Sequence, residues 1–136
     1  LIDRIPESIN IYLIGAKSDS ALSDEIAEKS QRKVFDLTRE LKLLQTAALM
    51  KGAQMNFAND SAPVHLASAV NAPITEVFCS TVPEFGFTPL SENSFIIQTK
   101  ENLDCRPCGI HGRSACPKGH FKCAYSIDVN EMISHL

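Results

Sequence analysis

The chain has 136 residues, 44% hydrophobic and 21% charged, a composition ordinary for one globular domain. Thirteen Lys and Arg against 16 Asp and Glu give a net charge of −3, which offers no general attraction for nucleic acid. No apolar run approaches the ~20 residues that span a bilayer, and five cysteines without a secretory signal favour thiols or metal ligands over disulfides.

Leu1 rather than Met opens the chain, so it reads as a fragment whose start says nothing about targeting. Ile9–Ile14 is apolar and β-branched and stops at Gly15, the pattern of a buried parallel strand. Ser18 or Ser20 can cap a helix running to about Lys29, with Leu22 and Ile26 on one face. Val34-Phe35 is a short strand. Thr38 can cap a second helix whose stripe is Leu41, Leu44, Ala48 and Lys51, closed by Gly52. A strand over Gln54–Ala58, a helix over Pro63–Val70 and a strand over Ile74–Phe78 follow, with another strand at Phe95-Ile96-Ile97. Cys79, at the end of its strand, reads as a core residue. Cys105–Cys123 is irregular, and Asp128-Val129-Asn130-Glu131 is a capping box opening a last short helix. Strands alternating with helices imply a Rossmann-like α/β domain, a parallel sheet with helices on both faces.

The stretch Asn59-Asp60-Ser61-Ala62-Pro63-Val64-His65-Leu66-Ala67 concentrates the chemistry. Ser61 suits an N-cap and Pro63 a first helical turn. Free N–H groups and the positive end of the helix dipole make such a turn a site for phosphate at the carboxyl end of a parallel sheet. Ser61 offers a hydroxyl and an N–H to a phosphate oxygen, and Ala62 offers a second N–H beside a small side chain. His65, one turn on, lies on the same side and can stabilise charge on a leaving diphosphate. Asp60, acceptor-only, suits sugar hydroxyls rather than phosphate. Read plainly, Asp60 and Ser61 are also ordinary turn and cap residues, and His65 an ordinary helix histidine. Gly15-Ala16-Lys17-Ser18 stands where another ligand loop is expected, or is a simple strand-to-helix turn.

The Asp60–Ala67 run resembles the Asp-Ser/Thr-Gly-x-x-His-Leu/Met-Ala signature of the ADP-heptose:lipopolysaccharide heptosyltransferases, with Ala62 where the family has Gly. Leu37-Thr38 followed by Leu43–Leu49 resembles the family's preceding helix, and Ala72–Phe78 its next strand. Leu103–Cys108 and Cys116–Cys123 resemble its cysteine-rich segment. Ser80–Pro89 follows the family's loop only loosely. The resemblance maps residues 1–136 onto a single donor-binding domain, the C-terminal half of a GT-B glycosyltransferase whose N-terminal acceptor domain, with the catalytic base, is absent. It implies inverting transfer of heptose from ADP-heptose to the lipopolysaccharide inner core, with no metal required. Asp60, Ser61, Ala62, His65 and Gly15 would contact the nucleotide sugar, and Leu41 would pack on adenine. The fragment alone is then expected to bind nucleotide weakly and transfer nothing. The implied location is cytoplasmic, peripheral at the inner face of the inner membrane.

Cys105-x2-Cys108-x7-Cys116-x6-Cys123, within a cysteine-rich loop at 103–125, is the second feature. Cys-x2-Cys suits tetrahedral zinc, whereas the second pair is too widely spaced for another knuckle, so His111 and His120 are alternative ligands. Free thiols, or disulfides in any of three pairings, are equally open. Lys100, Arg106, Arg113, Lys118 and Lys122 against Glu101 and Asp104 give Lys100–Lys122 a local charge of +3. That is a solvated loop, or a patch for the acceptor's phosphates or an anionic membrane. A different class of function is a metal-stapled binding module using this loop. Nucleic acid is not expected as its partner, because interleaved aromatics are missing. A related nucleotide-sugar enzyme acting on another sugar is the remaining reading.

Overall fold

The computed structural model describes residues 1–136, which form two compact units, Leu1–Leu49 and Met50–Leu136.

In the first unit β1 (Ile11–Leu13) and β2 (Val34–Asp36) pair in parallel, Ile11 opposite Val34 and Leu13 opposite Asp36. Between them runs α1 (Ser20–Lys29), the expected helix, which packs against β2. Tyr12 and Phe35, neighbours across the ladder, stack at 5.2 Å between ring centroids. The ladder continues beyond β2, with the Leu37 N–H donating to the Leu13 carbonyl and the Arg39 N–H to the Gly15 carbonyl.

Thr38 is not a helix cap. Its hydroxyl is buried 2.6 Å from Ser23 Oγ, its N–H donates to Asp36 Oδ1 at 2.8 Å, and Arg39 follows at φ 67°. A residue held in that turn cannot begin a helix, and α2 starts only at Leu43 (Leu43–Gly52). There the Lys42 N–H donates to the Gln45 side chain at 2.8 Å, half of a capping box. The expected stripe is also displaced. Leu44 is 82% exposed, and Ala48 and Lys51 are exposed as well, while Ala47 and Met50 are buried.

In the second unit β3 (Asn56–Asn59), β4 (Ile74–Phe78) and β5 (Ser94–Gln98) form a parallel sheet in the order β3-β4-β5. α3 (Ala62–Ala69) connects β3 to β4 and packs on both, burying Val64 and Ala67. The β4-to-β5 connection carries only a 3-10 turn at Pro83–Phe85. β4, flanked on both edges, has Ile74, Thr75, Glu76 and Phe78 wholly inaccessible. Asn56 Nδ2 donates to the carbonyls of Met50 and Pro73, tying the start of β3 to the strand beside it. α4 (Lys122–Tyr125) and α5 (Val129–Ile133) follow the cysteine-rich loop. The predicted Asp128 cap forms, accepting the Asn130 N–H at 2.9 Å, but Glu131 pairs with Lys100 at 2.7 Å.

Because the strands are parallel, and Asn59 pairs with Val77 and Phe78 with Gln98, their carboxyl ends share one edge of the sheet. Asp60-Ser61 and Cys79–Thr81 leave from that edge, the usual place for ligands in such sheets.

Candidate functional site

Asp60 and Ser61 join β3 to α3. Ser61 holds the N-cap position with extended backbone (φ −163°, ψ 175°), yet its side chain does not cap the helix. Its hydroxyl turns back to Asn59, 2.8 Å from Oδ1 and 3.1 Å from the carbonyl oxygen. Pro63 has no N–H, and Val64 donates to the Ser61 carbonyl. The first turn of α3 therefore has no side-chain acceptor, which keeps the positive end of the helix open to an anion. His65, exposed one turn on, meets the Phe87 ring edge-on at 6.4 Å. Asp60 is half-buried. Asp60, Ser61, Ala62 and His65 thus share one strand-to-helix turn.

Glu76 carried no functional reading in the sequence. It is wholly inaccessible in the middle of β4, and neither carboxylate oxygen has a hydrogen-bond partner. Burial, with the charge of Asp60 added to it, raises its pKa to about 7. A lone carboxylate in the otherwise uncharged run Ile74-Thr75-Glu76-Val77-Phe78 is the signal that could have exposed it.

Gly15 and Leu41 fall in the first unit. Gly15 leads into a 3-10 turn (Lys17–Asp19) in which the Ala16 N–H is satisfied by Asp19 Oδ2 at 2.8 Å. A Cβ on Gly15 would stand 2.9 Å from that oxygen, so the small residue permits the turn. Leu41 precedes α2 instead of lying in its first turn, and is half-buried.

The cysteine-rich loop docks at the carboxyl edge of β4 through Arg106. Its Nε donates to the carbonyls of Cys79 (2.8 Å) and Thr81 (3.1 Å), and its Nη2 to the Thr81 carbonyl (2.8 Å) and Gln98 Oε1 (2.7 Å). Arg106 is thus a structural clamp rather than a loose member of a basic patch. The Cys108 N–H donates to the Ser80 carbonyl at 2.8 Å, and Gly112 (φ 69°) approaches so closely that a Cβ would lie 2.5 Å from Ser80 Oγ. Cys79 is half-buried rather than a core residue.

All five cysteines are free thiols. Cys105, Cys108, Cys116, Cys123 and His120 line one cavity together with Arg113 and Lys118. The Phe121 N–H donates to Cys116 Sγ at 3.4 Å and, with N–H groups from Lys118 to His120, holds that thiol below its ordinary pKa. Burial raises that of Cys123. No three His, Cys, Asp or Glu side chains stand as a preformed metal-ligand set.

The sequence model of glycosyltransferase family 9 (heptosyltransferase) matches residues 3–115. Lipooligosaccharide heptosyltransferase 2 of Haemophilus ducreyi is 31% identical over 100 residues, 69% of this chain and 28% of that protein. Among solved structures, the family 9 glycosyl transferase of Veillonella parvula superposes with a TM-score of 0.74 at 19% identity, over 94% of this chain and 35% of that one. The E. coli ADP-heptose lps heptosyltransferase II gives 0.62 at 21% identity, over 79% and 39%. The chain therefore spans well under half the length of each relative.

Proposed function

The chain belongs to glycosyltransferase family 9, the heptosyltransferase family, and from that premise we propose that its Asp60–His65 turn holds the diphosphate and sugar of an ADP-heptose donor. The observation that carries this reading is the α3 N-terminus, left without a side-chain cap and opening at the carboxyl edge of a parallel sheet. The Ser61 and Ala62 N–H groups and the Ser61 hydroxyl take the phosphate oxygens. Ala62 keeps the approach open, and Asp60 accepts hydrogen bonds from sugar hydroxyls.

In the proposed reaction an acceptor hydroxyl of the lipopolysaccharide core attacks the anomeric carbon. A carbon–oxygen bond forms there as the bond to the β-phosphate breaks, with inversion. The helix terminus and an imidazolium at His65 stabilise the charge that collects on the departing ADP. The proton of the attacking hydroxyl goes to a base in an acceptor domain outside these residues, as in a GT-B enzyme, so these 136 residues bind donor but transfer nothing. No helix here is long and apolar enough to cross a membrane, and the proposed setting is the cytoplasmic face of the inner membrane, where the acceptor is presented.

Steady-state transfer by the full-length enzyme tests this. His65→Ala is expected to lower kcat roughly 100-fold, the scale of removing one group that stabilises developing charge. Asp60→Ala is expected to act through the sugar, weakening ADP-heptose more than ADP. An unchanged kcat in His65→Ala would remove the histidine from the reading.

A further inference from the structure

We propose that Cys105, Cys108, Cys116 and Cys123 form a four-thiolate zinc site that staples the cysteine-rich loop beside the carboxyl edge of the sheet, with His120 donating a hydrogen bond to the Cys105 sulfur instead of binding the metal. Spacing alone left His120 open as a ligand. The structure separates the two roles. The Lys122 N–H donates to His120 Nδ1 at 3.1 Å, so that nitrogen is the acceptor and the ring proton sits on Nε2. Nε2 faces Cys105 Sγ at 4.0 Å, the arrangement of an N–H pointing at a sulfur. A ligating imidazole needs a bare nitrogen toward the metal, and this one carries its proton there.

The four sulfurs share one cavity although they span 19 residues of chain. Gly109 and Gly119, both in the left-handed region (φ 85° and 70°), turn the chain just after Cys108 and three residues after Cys116. The Phe121 N–H already points at Cys116 Sγ, the hydrogen bond a metal-bound thiolate commonly accepts. Zinc with four thiolates carries a charge of −2, and Arg113 and Lys118 line the same cavity to offset it. Zinc–sulfur bonds of ~2.3 Å place ligand sulfurs roughly 3.8 Å apart. The thiols do not stand as a closed ligand set, so binding has to draw them together, Cys108 among them. As a protonated thiol it donates to the Cys105 carbonyl at 3.1 Å. Binding removes that proton and frees the sulfur to rotate inward.

The test is a titration of the reduced, metal-free full chain with Co(II), followed by displacement with Zn(II). One Co(II) per chain, an intense sulfur-to-cobalt charge-transfer band and displacement by one equivalent of zinc are expected. Cys79→Ser, outside the cavity, is expected to keep all three. Cys116→Ser is expected to weaken binding by more than ~100-fold. His120→Gln is expected to keep the stoichiometry and the tetrathiolate spectrum while weakening affinity ~10-fold. A wild-type chain that takes up no stoichiometric metal overturns the site, whatever the variants do. A changed ligand-field spectrum in His120→Gln overturns the assignment of the fourth ligand.

Discussion

The Thr81 carbonyl oxygen accepts two hydrogen bonds from the Arg106 guanidinium, at 3.1 Å from Nε and 2.8 Å from Nη2. Thr81 lies just past β4 and is buried, and its oxygen is one of the acceptors that fasten the cysteine-rich loop beside the sheet. The fork of the guanidinium reaches Thr81, Cys79 and Gln98 together, which a point-like ammonium cannot do.

Arg106→Lys is therefore expected to lose about 1–3 kcal/mol of stability, the scale of charge-assisted hydrogen bonds left unmade. Amide exchange from Cys105 to Gly112 should rise while exchange in β3 stays slow. Unchanged exchange in the loop would show that Arg106 does not hold it.

Glu76 should make stability fall as pH rises. Its carboxyl ionises at about 4.5 in the unfolded chain but is held to about 7 in the fold. The unfolded state thus releases its proton first, and stability is lost between those values. The span corresponds to a loss on the order of 3 kcal/mol. Glu76→Gln, matched in shape and without charge, should flatten that slope and be the more stable form above pH 7. Urea midpoints taken from pH 4 to about 8 would read it, and parallel profiles for the two proteins would contradict it.

The buried face of α2 separates two readings of one helix. Met50→Ala is expected to destabilise by about 2–5 kcal/mol, because the side chain is 2% exposed. Leu44→Ala, at 82% exposure, should stay within about 0.5 kcal/mol. The reverse ranking would restore the Leu41, Leu44, Ala48 stripe. Thermal or urea unfolding of the two variants decides.

These contrasts show which parts of the molecule were legible in the residue order. β4 and α3 were readable because strong β-branched runs and the Ser61-Ala62-Pro63 start each point one way. α2 was misread because Leu41, Leu43, Leu44, Ala47, Ala48, Leu49 and Met50 are apolar almost all round, so no period selects a face. Thr38 carried a cap signal, but the buried Ser23 hydroxyl, 15 residues away in sequence, claimed its side chain. At the site, the Asp60–His65 turn was legible because its residues are contiguous. The Arg106 clamp joins residues 8 to 27 positions apart, and the orientation of the His120 ring depends on a backbone N–H two residues on. Spacing carries neither.

The donor site is tested most directly by titrating ADP, ADP-heptose, UDP and GDP into the full chain, its Asp60→Ala variant and its His65→Ala variant. The account predicts ADP-selective binding that His65→Ala weakens, and an added gain from the sugar that disappears in Asp60→Ala. Equal binding of the three nucleoside diphosphates, or titrations that neither substitution alters, would contradict it.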